Sequence, residues 1–224
     1  MRLGFLVSGR GSNLAAVLDA VADGSLSNVE PVLVISNRPG APALDVAASH
    51  AVAALVLHRA GFPDAEARDA AIGDALTEVG ADLALLAGYD RLLHRSFFER
   101  FTGAAMNVHP SLLPRHGGKG MIGLAVHRAV LAAGDTETGV TVHEVTPELD
   151  AGPALAQVRV PVIPGEGAEA LADRVLGYEH RLVVEVLRRL AVLPSGAWAS
   201  ASMTAALAPS TGGDATHERR RTHA

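Results

Sequence analysis

Leu3-Gly4-Phe5-Leu6-Val7-Ser8-Gly9-Arg10-Gly11-Ser12-Asn13-Leu14 is an aliphatic run that breaks on a glycine-rich turn and restarts with helical spacing. A strand, a Gly turn and a helix in that order open a βα unit. In such units the glycines let the backbone come close to a ligand, and the N–H groups of the helix start point at an anion. The turn Ser8–Asn13 is therefore a candidate anion site. The stretch is neither a dinucleotide fingerprint, since Leu14 occupies the third glycine position, nor a Walker loop, since no Gly-Lys-Ser/Thr follows. The plainer alternative is a tight turn with Ser12 or Asn13 as N-cap.

Outward from that unit the same alternation repeats. Aliphatic runs at Leu3–Val7, Pro31–Ser36, Ala53–Leu57, Leu83–Ala87 and Ala104–Val108 predict strands buried on both faces. Between them Asn13–Ala22, Ala41–Ser49 and Asp64–Val79 carry apolar residues at helical spacing, with Pro63 as a start signal. The expected fold is α/β: a doubly wound, mostly parallel sheet with flanking helices. After Pro114 the pattern changes. Arg115–Gly123 is glycine-rich and aperiodic and reads as a mobile loop, and Leu124–Ala133 reads as a helix. Thr138–Val145 and Ala154–Val160 read as strands joined by a turn, which predicts an antiparallel edge near the C-terminal part. A long helix, Ala168–Leu190, closes the domain. From 196 to 224 the chain is rich in Ala, Ser, Thr and Gly, without apolar period, and is expected to be a disordered tail.

Composition narrows the functions. The 224 residues contain no cysteine, which excludes a thiolate nucleophile and a cysteine-ligated metal or cluster. The net charge of −5 and a single lysine, Lys119, argue against broad contact with nucleic acid. The opening aliphatic run is too short for a secretory core, and no later run has the length of a membrane span, so a cytoplasmic location is expected.

The chemistry gathers in Met106-Asn107-Val108-His109-Pro110-Ser111-Leu112-Leu113-Pro114. Asn107 and His109 stand two apart at the carboxyl end of a strand, on one face, where open α/β sheets bind ligands. An amine attacking an acyl carbon builds an oxyanion. The Asn107 amide and a protonated His109 can each donate to it. Leu149-Asp150-Ala151-Gly152-Pro153 offers a carboxylate that can stabilise the imidazolium and help collect the amine proton. Taken singly, a His after a strand is an ordinary structural residue, and an Asp before Gly-Pro an ordinary turn residue. No metal is expected, because His109, His143 and Asp150 have no ligand spacing.

With these segments together, the chain resembles the phosphoribosylglycinamide formyltransferases, a family of folate-dependent enzymes of purine biosynthesis. The resemblance rests on Ser8–Leu14, Ser36-Asn37, Leu86–Leu93, Asn107–Pro114, Gly139–His143, Leu149–Pro153 and Glu179-His180. It implies a formyltransferase domain over 1–195 with a Rossmann-like fold. It also implies transfer of the formyl group of 10-formyltetrahydrofolate to the amine of glycinamide ribonucleotide, with no nucleic-acid or membrane partner. By resemblance Asn107, His109 and Asp150 are catalytic, Gly11, Ser12 and Asn13 hold the substrate phosphate, and Glu179 meets the substrate. Arg91, Leu92 and Leu93 receive the folate. On pattern alone Glu179 would be an exposed helix charge and Arg91 a surface charge at a helix start.

Two departures stand out. Ala65 occupies the place of a family arginine that meets the folate's glutamate tail, leaving Arg59 or Arg68 to supply the cation. The loop Arg115–Gly123, with Lys119, is longer than the common form. The rival expectations are a formyltetrahydrofolate hydrolase, which usually carries a further domain ahead of the first strand, and a folate- or nucleotide-binding module without catalysis.

Overall fold

The computed structural model describes residues 1–193, so the expected tail at 196–224 lies outside the described residues. Seven strands form one sheet: β1 (Arg2–Val7), β2 (Glu30–Ser36), β3 (Ala54–Val56), β4 (Leu83–Leu86), β5 (Ala104–His109), β6 (Glu137–Glu144) and β7 (Ala154–Pro161). Their order is β3-β2-β1-β4-β5-β6-β7; β1 to β5 pair in parallel, and the β5–β6 and β6–β7 pairings are antiparallel. The helices are α1 (Ser12–Ala22), α2 (Ala43–Ser49), α3 (Ala65–Glu78), α4 (Arg95–Arg100), α5 (Leu124–Ala132) and α6 (Ala168–Leu190).

The sheet separates two cores because successive side chains leave a strand on opposite faces. Leu3, Phe5 and Val7 enter one core with α1, α2, α5 and α6, while Leu6 enters the other with Ile72, Leu76, Phe97 and Phe101 of the α3–α4 side. Gly4 has no Cβ to spare, since one there would occupy the space of the Leu76 side chain. Helices on both faces explain the near-continuous aliphatic runs of the central parallel strands. By contrast β3, expected to be buried on both faces, lies at the sheet edge with all three residues exposed.

The expected strands and long helices stand within a residue or two of their anticipated bounds. Two elements were not anticipated: α4, and a single 3-10 turn at Arg59–Gly61. Six residues are too few for an apolar period, although Phe97 and Phe101 are both buried. No helix or strand forms within 115–123. No described helix is long and apolar enough to cross a membrane.

Candidate active site

The carboxyl ends of β1, β4 and β5 face the same edge of the sheet, and the candidate residues collect there. Gly11 precedes α1 at φ 78°, in the left-handed region, and a Cβ on it would lie 2.8 Å from the Ala43 Cα. Glycine is therefore required at this turn on two grounds. Neither Ser12 nor Asn13 is the N-cap, contrary to the plainer expectation: the cap is Gly11, and no side chain caps the helix. The first-turn amides, which a helix cannot satisfy internally, are left to an outside acceptor.

The Asn13 side chain turns instead toward α6, where its Nδ2 donates to Glu179 Oε2 at 2.8 Å. Asn13 Oδ1 is buried without a hydrogen-bond partner. Glu179 is only 9% exposed, which overturns its reading as an exposed helix charge. Burial pushes its carboxyl above the ordinary range, against the opposing effects of the Asn13 bond and the Arg10 charge. The folded chain thus keeps a proton that the unfolded chain has already lost as pH climbs past the ordinary carboxyl range. This stabilising contribution is complete below that range and disappears as pH rises through the raised value. In Glu179→Gln that slope should vanish. Urea midpoints measured against pH for parent and variant should converge or cross above about pH 4, where free carboxyls ionise. Strictly parallel curves would contradict the assignment.

Asn107 and His109 both lie on β5, paired in register with His143 and Thr141 of β6. His143 is buried, and its Nδ1 is 2.9 Å from the Glu144 carbonyl oxygen, to which it can only donate. Burial lowers its basicity, with the nearby Asp150 charge opposing. A neutral ring that donates at Nδ1 must accept at Nε2, and Asn107 Nδ2 lies 3.1 Å away. The Asn107 amide orientation is thereby determined. One N–H goes to His143, and the other remains for a ligand oxygen.

His109 is 4% exposed. Its Nε2 donates to the His116 carbonyl oxygen at 2.9 Å, and its Nδ1 stands 3.9 Å from Asp150 Oδ2. Asp150 lies between the two rings, its Oδ1 3.8 Å from His143 Nε2 and its Oδ2 accepting the Gly118 N–H at 2.8 Å. Asp150 has φ 52°, a left-handed conformation that Asp and Asn tolerate best among non-glycine residues. The turn is held tightly: a Cβ on Gly152 would collide with the Glu144 carbonyl oxygen, and Glu144 N donates to Pro153 O at 2.9 Å. A carbonyl placed against the second Asn107 N–H and a protonated His109 Nδ1 would meet two donors beside a carboxylate. That is the arrangement acyl transfer needs.

The residues assigned to folate divide. Leu93 is in the core, Leu92 is 51% exposed, and Arg91 lies 3.6 Å from Asp90. Asp90 is also held by Arg38 and by Asn37 Nδ2 at 2.9 Å. Beside it opens a cavity of about 500 Å³, lined by Asn37, Arg38, His58, Arg59, Phe62, Arg68 and Arg91 among others. Arg68, one of the two cations expected to meet the folate's glutamate tail, is instead 4% exposed and bonds the fully buried Asp69 with Nε to Oδ1 at 2.8 Å. Burial pushes the hydroxyl of neighbouring Tyr89 up to about 12. Sequence reasoning missed the His143 lock on Asn107 and the bonds from the 116–118 backbone. A lone His in an alternating strand has no pattern to separate it from its neighbours, and backbone donors have no sequence signature.

A mostly parallel sheet that brings Asn107, His109 and Asp150 together near the end of its fifth strand, beside an uncapped helix, can support group transfer. The formyl transferase family model matches residues 1–187, and the chain belongs to that family. Within it, the similarity is to phosphoribosylglycinamide formyltransferases. The protein of that name from Escherichia coli strain K12 is 34% identical over 203 residues, covering 88% of this chain and 93% of that one. The crystal structure of glycinamide ribonucleotide transformylase 1 from Symbiobacterium toebii has a TM-score of 0.79 at 39% identity, covering 85% of this chain and 87% of that chain. The trifunctional purine biosynthetic protein adenosine-3 of Drosophila pseudoobscura pseudoobscura is 38% identical over 197 residues. These are 88% of this chain but only 14% of that protein's length.

Proposed function

We propose that the chain transfers the formyl group of 10-formyltetrahydrofolate to the amine of glycinamide ribonucleotide in de novo purine biosynthesis, in the cytoplasm. The observation that carries this reading is the convergence of Asn107, His109 and Asp150 within hydrogen-bond and ion-pair range of one another, through His143 and the 116–118 backbone. The uncapped start of α1 would hold the ribonucleotide phosphate through the amides of Gly11, Ser12 and Asn13. Glu179 would meet the substrate from α6, and the substrate amine or ribose hydroxyls would favour its ionised form.

The amine nitrogen attacks the formyl carbon. The formyl oxygen takes up negative charge and receives hydrogen bonds from Asn107 Nδ2 and His109 Nδ1. The nitrogen sheds a proton toward Asp150, directly or through one water. The bond from carbon to the folate nitrogen then breaks, that nitrogen regains a proton, and tetrahydrofolate leaves. No covalent enzyme intermediate is involved.

The folate would lie along Tyr89–Leu93, with its glutamate tail toward the arginine-lined cavity. Arg59, which is exposed there, stands in for the cation missing at Ala65. Arg59→Ala is expected to raise KM for the folate about three- to tenfold, one charge-assisted contact at a partly solvated site, with kcat unchanged. An equal KM for parent and variant at low salt would remove Arg59 from tail recognition.

The test follows deformylation of 10-formyltetrahydrofolate by absorbance, with and without glycinamide ribonucleotide. Deformylation that requires the ribonucleotide supports the reading. Equal rates in both would make water the acceptor, and saturable folate binding without turnover would leave a binding module.

A further inference from the structure

The loop after β5 grips His109 and Asp150, two of the three proposed catalytic residues. Within three consecutive residues, the His116 carbonyl accepts from His109 Nε2 at 2.9 Å and the Gly118 N–H donates to Asp150 Oδ2 at 2.8 Å. Gly117 between them packs closely, since a Cβ on it would displace the Leu113 side chain, 2.5 Å from its Cδ2. The positions of both catalytic side chains therefore depend on the backbone of 116–118.

His116 has φ 53°, a sparsely populated left-handed conformation that His adopts more readily than most residues with a Cβ. What holds it is remote from the reacting atoms. The His116 ring Nε2 bonds Asp135 Oδ2 at 2.6 Å, and the Arg115 guanidinium pairs with Asp135 Oδ1. Asp135 sits in the connection from α5 to β6, its side chain only 10% exposed and its own N–H bonded to the Val130 carbonyl. Ser111 Oγ adds a bond to the Arg115 carbonyl at 2.6 Å.

We propose that Asp135 is a positioning residue for the acyl transfer. It clamps Arg115 and His116 so that the His116 carbonyl fixes the His109 ring and the Gly118 N–H fixes Asp150. With the clamp removed, His116 relaxes toward negative φ. Its carbonyl then swings away from His109, and the Gly118 N–H leaves Asp150. The inference rests on the formyl-transfer reading for its kinetic arm only.

Asp135→Ala is expected to lower kcat about thirtyfold, within the range that small misplacement of a catalytic group produces. KM for the ribonucleotide and the folate should stay within about twofold, since neither binding region touches the clamp. Asp135→Asn keeps an acceptor for His116 and should recover most of the loss. At position 116, Asn tolerates left-handed backbone and Val does not, so His116→Asn should outperform His116→Val. These two variants stand in if Asp135→Ala fails to fold. An arm independent of turnover is nitrogen-15 NMR of the His109 ring. Its Nε2 proton should exchange slowly in the parent, and fast in Asp135→Ala. Slow exchange and unchanged kcat in a folded Asp135→Ala protein would overturn the proposal, even if its melting temperature falls. A parent without formyl transfer but with the NMR difference would keep the clamp and sink the proposed reaction.

Discussion

Asp150→Asn is expected to lower kcat by about three orders of magnitude, within the range general acid–base groups contribute, while leaving ribonucleotide and folate binding within about twofold. The substitution is close to a single-property change. Asn adopts the left-handed backbone of residue 150 as readily as Asp, and its amide oxygen can still accept the Gly118 N–H. What disappears is the negative charge facing His109 Nδ1 and His143 Nε2, at 3.9 and 3.8 Å. On the proposed mechanism the His109 ring loses its carboxylate neighbour, and the attacking amine loses its proton acceptor. Single-turnover kinetics with calorimetric binding of each substrate separates the two effects. Unchanged turnover would remove Asp150 from the mechanism.

Asn107→Ala is expected to lower kcat about a hundred- to a thousandfold, the loss associated with deleting one oxyanion donor. KM should change little, because the donor matters most once charge develops on the formyl oxygen. The variant also leaves His143 Nε2 without its amide donor at 3.1 Å. Some of the loss should therefore reappear in His143→Phe, which keeps Asn107 but frees its amide to rotate. If Asn107→Ala raised KM in proportion and spared kcat, the residue would be binding the ground state rather than stabilising the transition state.

Much of the fold was legible because its central strands, β1 and β4 above all, are buried on both faces. Aliphatic runs such as Phe5–Val7 and Leu83–Leu86 carry no polar alternation, and the glycine turn after Val7 marks the first crossover. The antiparallel edge was legible from the turn at 146–153. The α4 helix was not, since its burial rests on Phe97 and Phe101 meeting α3 across the chain. Within the site, the proximity of Asn107 and His109 was legible because the strand end places both on one face, and Asp150 joins them through its turn. The tertiary partners were hidden. Glu179 looks like a solvated helix charge until α1 brings Asn13 against it. Arg68 and Asp69 are neighbours along a helix, where adjacent residues do not normally face each other, yet both are buried and bonded. The hold of His116 and Gly118 on His109 and Asp150 depends on backbone atoms, which every residue possesses.

The most direct test of the central claim is to supply 10-formyltetrahydrofolate labelled with carbon-13 in the formyl group, together with glycinamide ribonucleotide, and follow the label by NMR. The label is expected to move quantitatively into the new formamide on the ribonucleotide, with no accumulation of free formate and no label on the protein. Label appearing as free formate at the same rate with or without the ribonucleotide would contradict that claim.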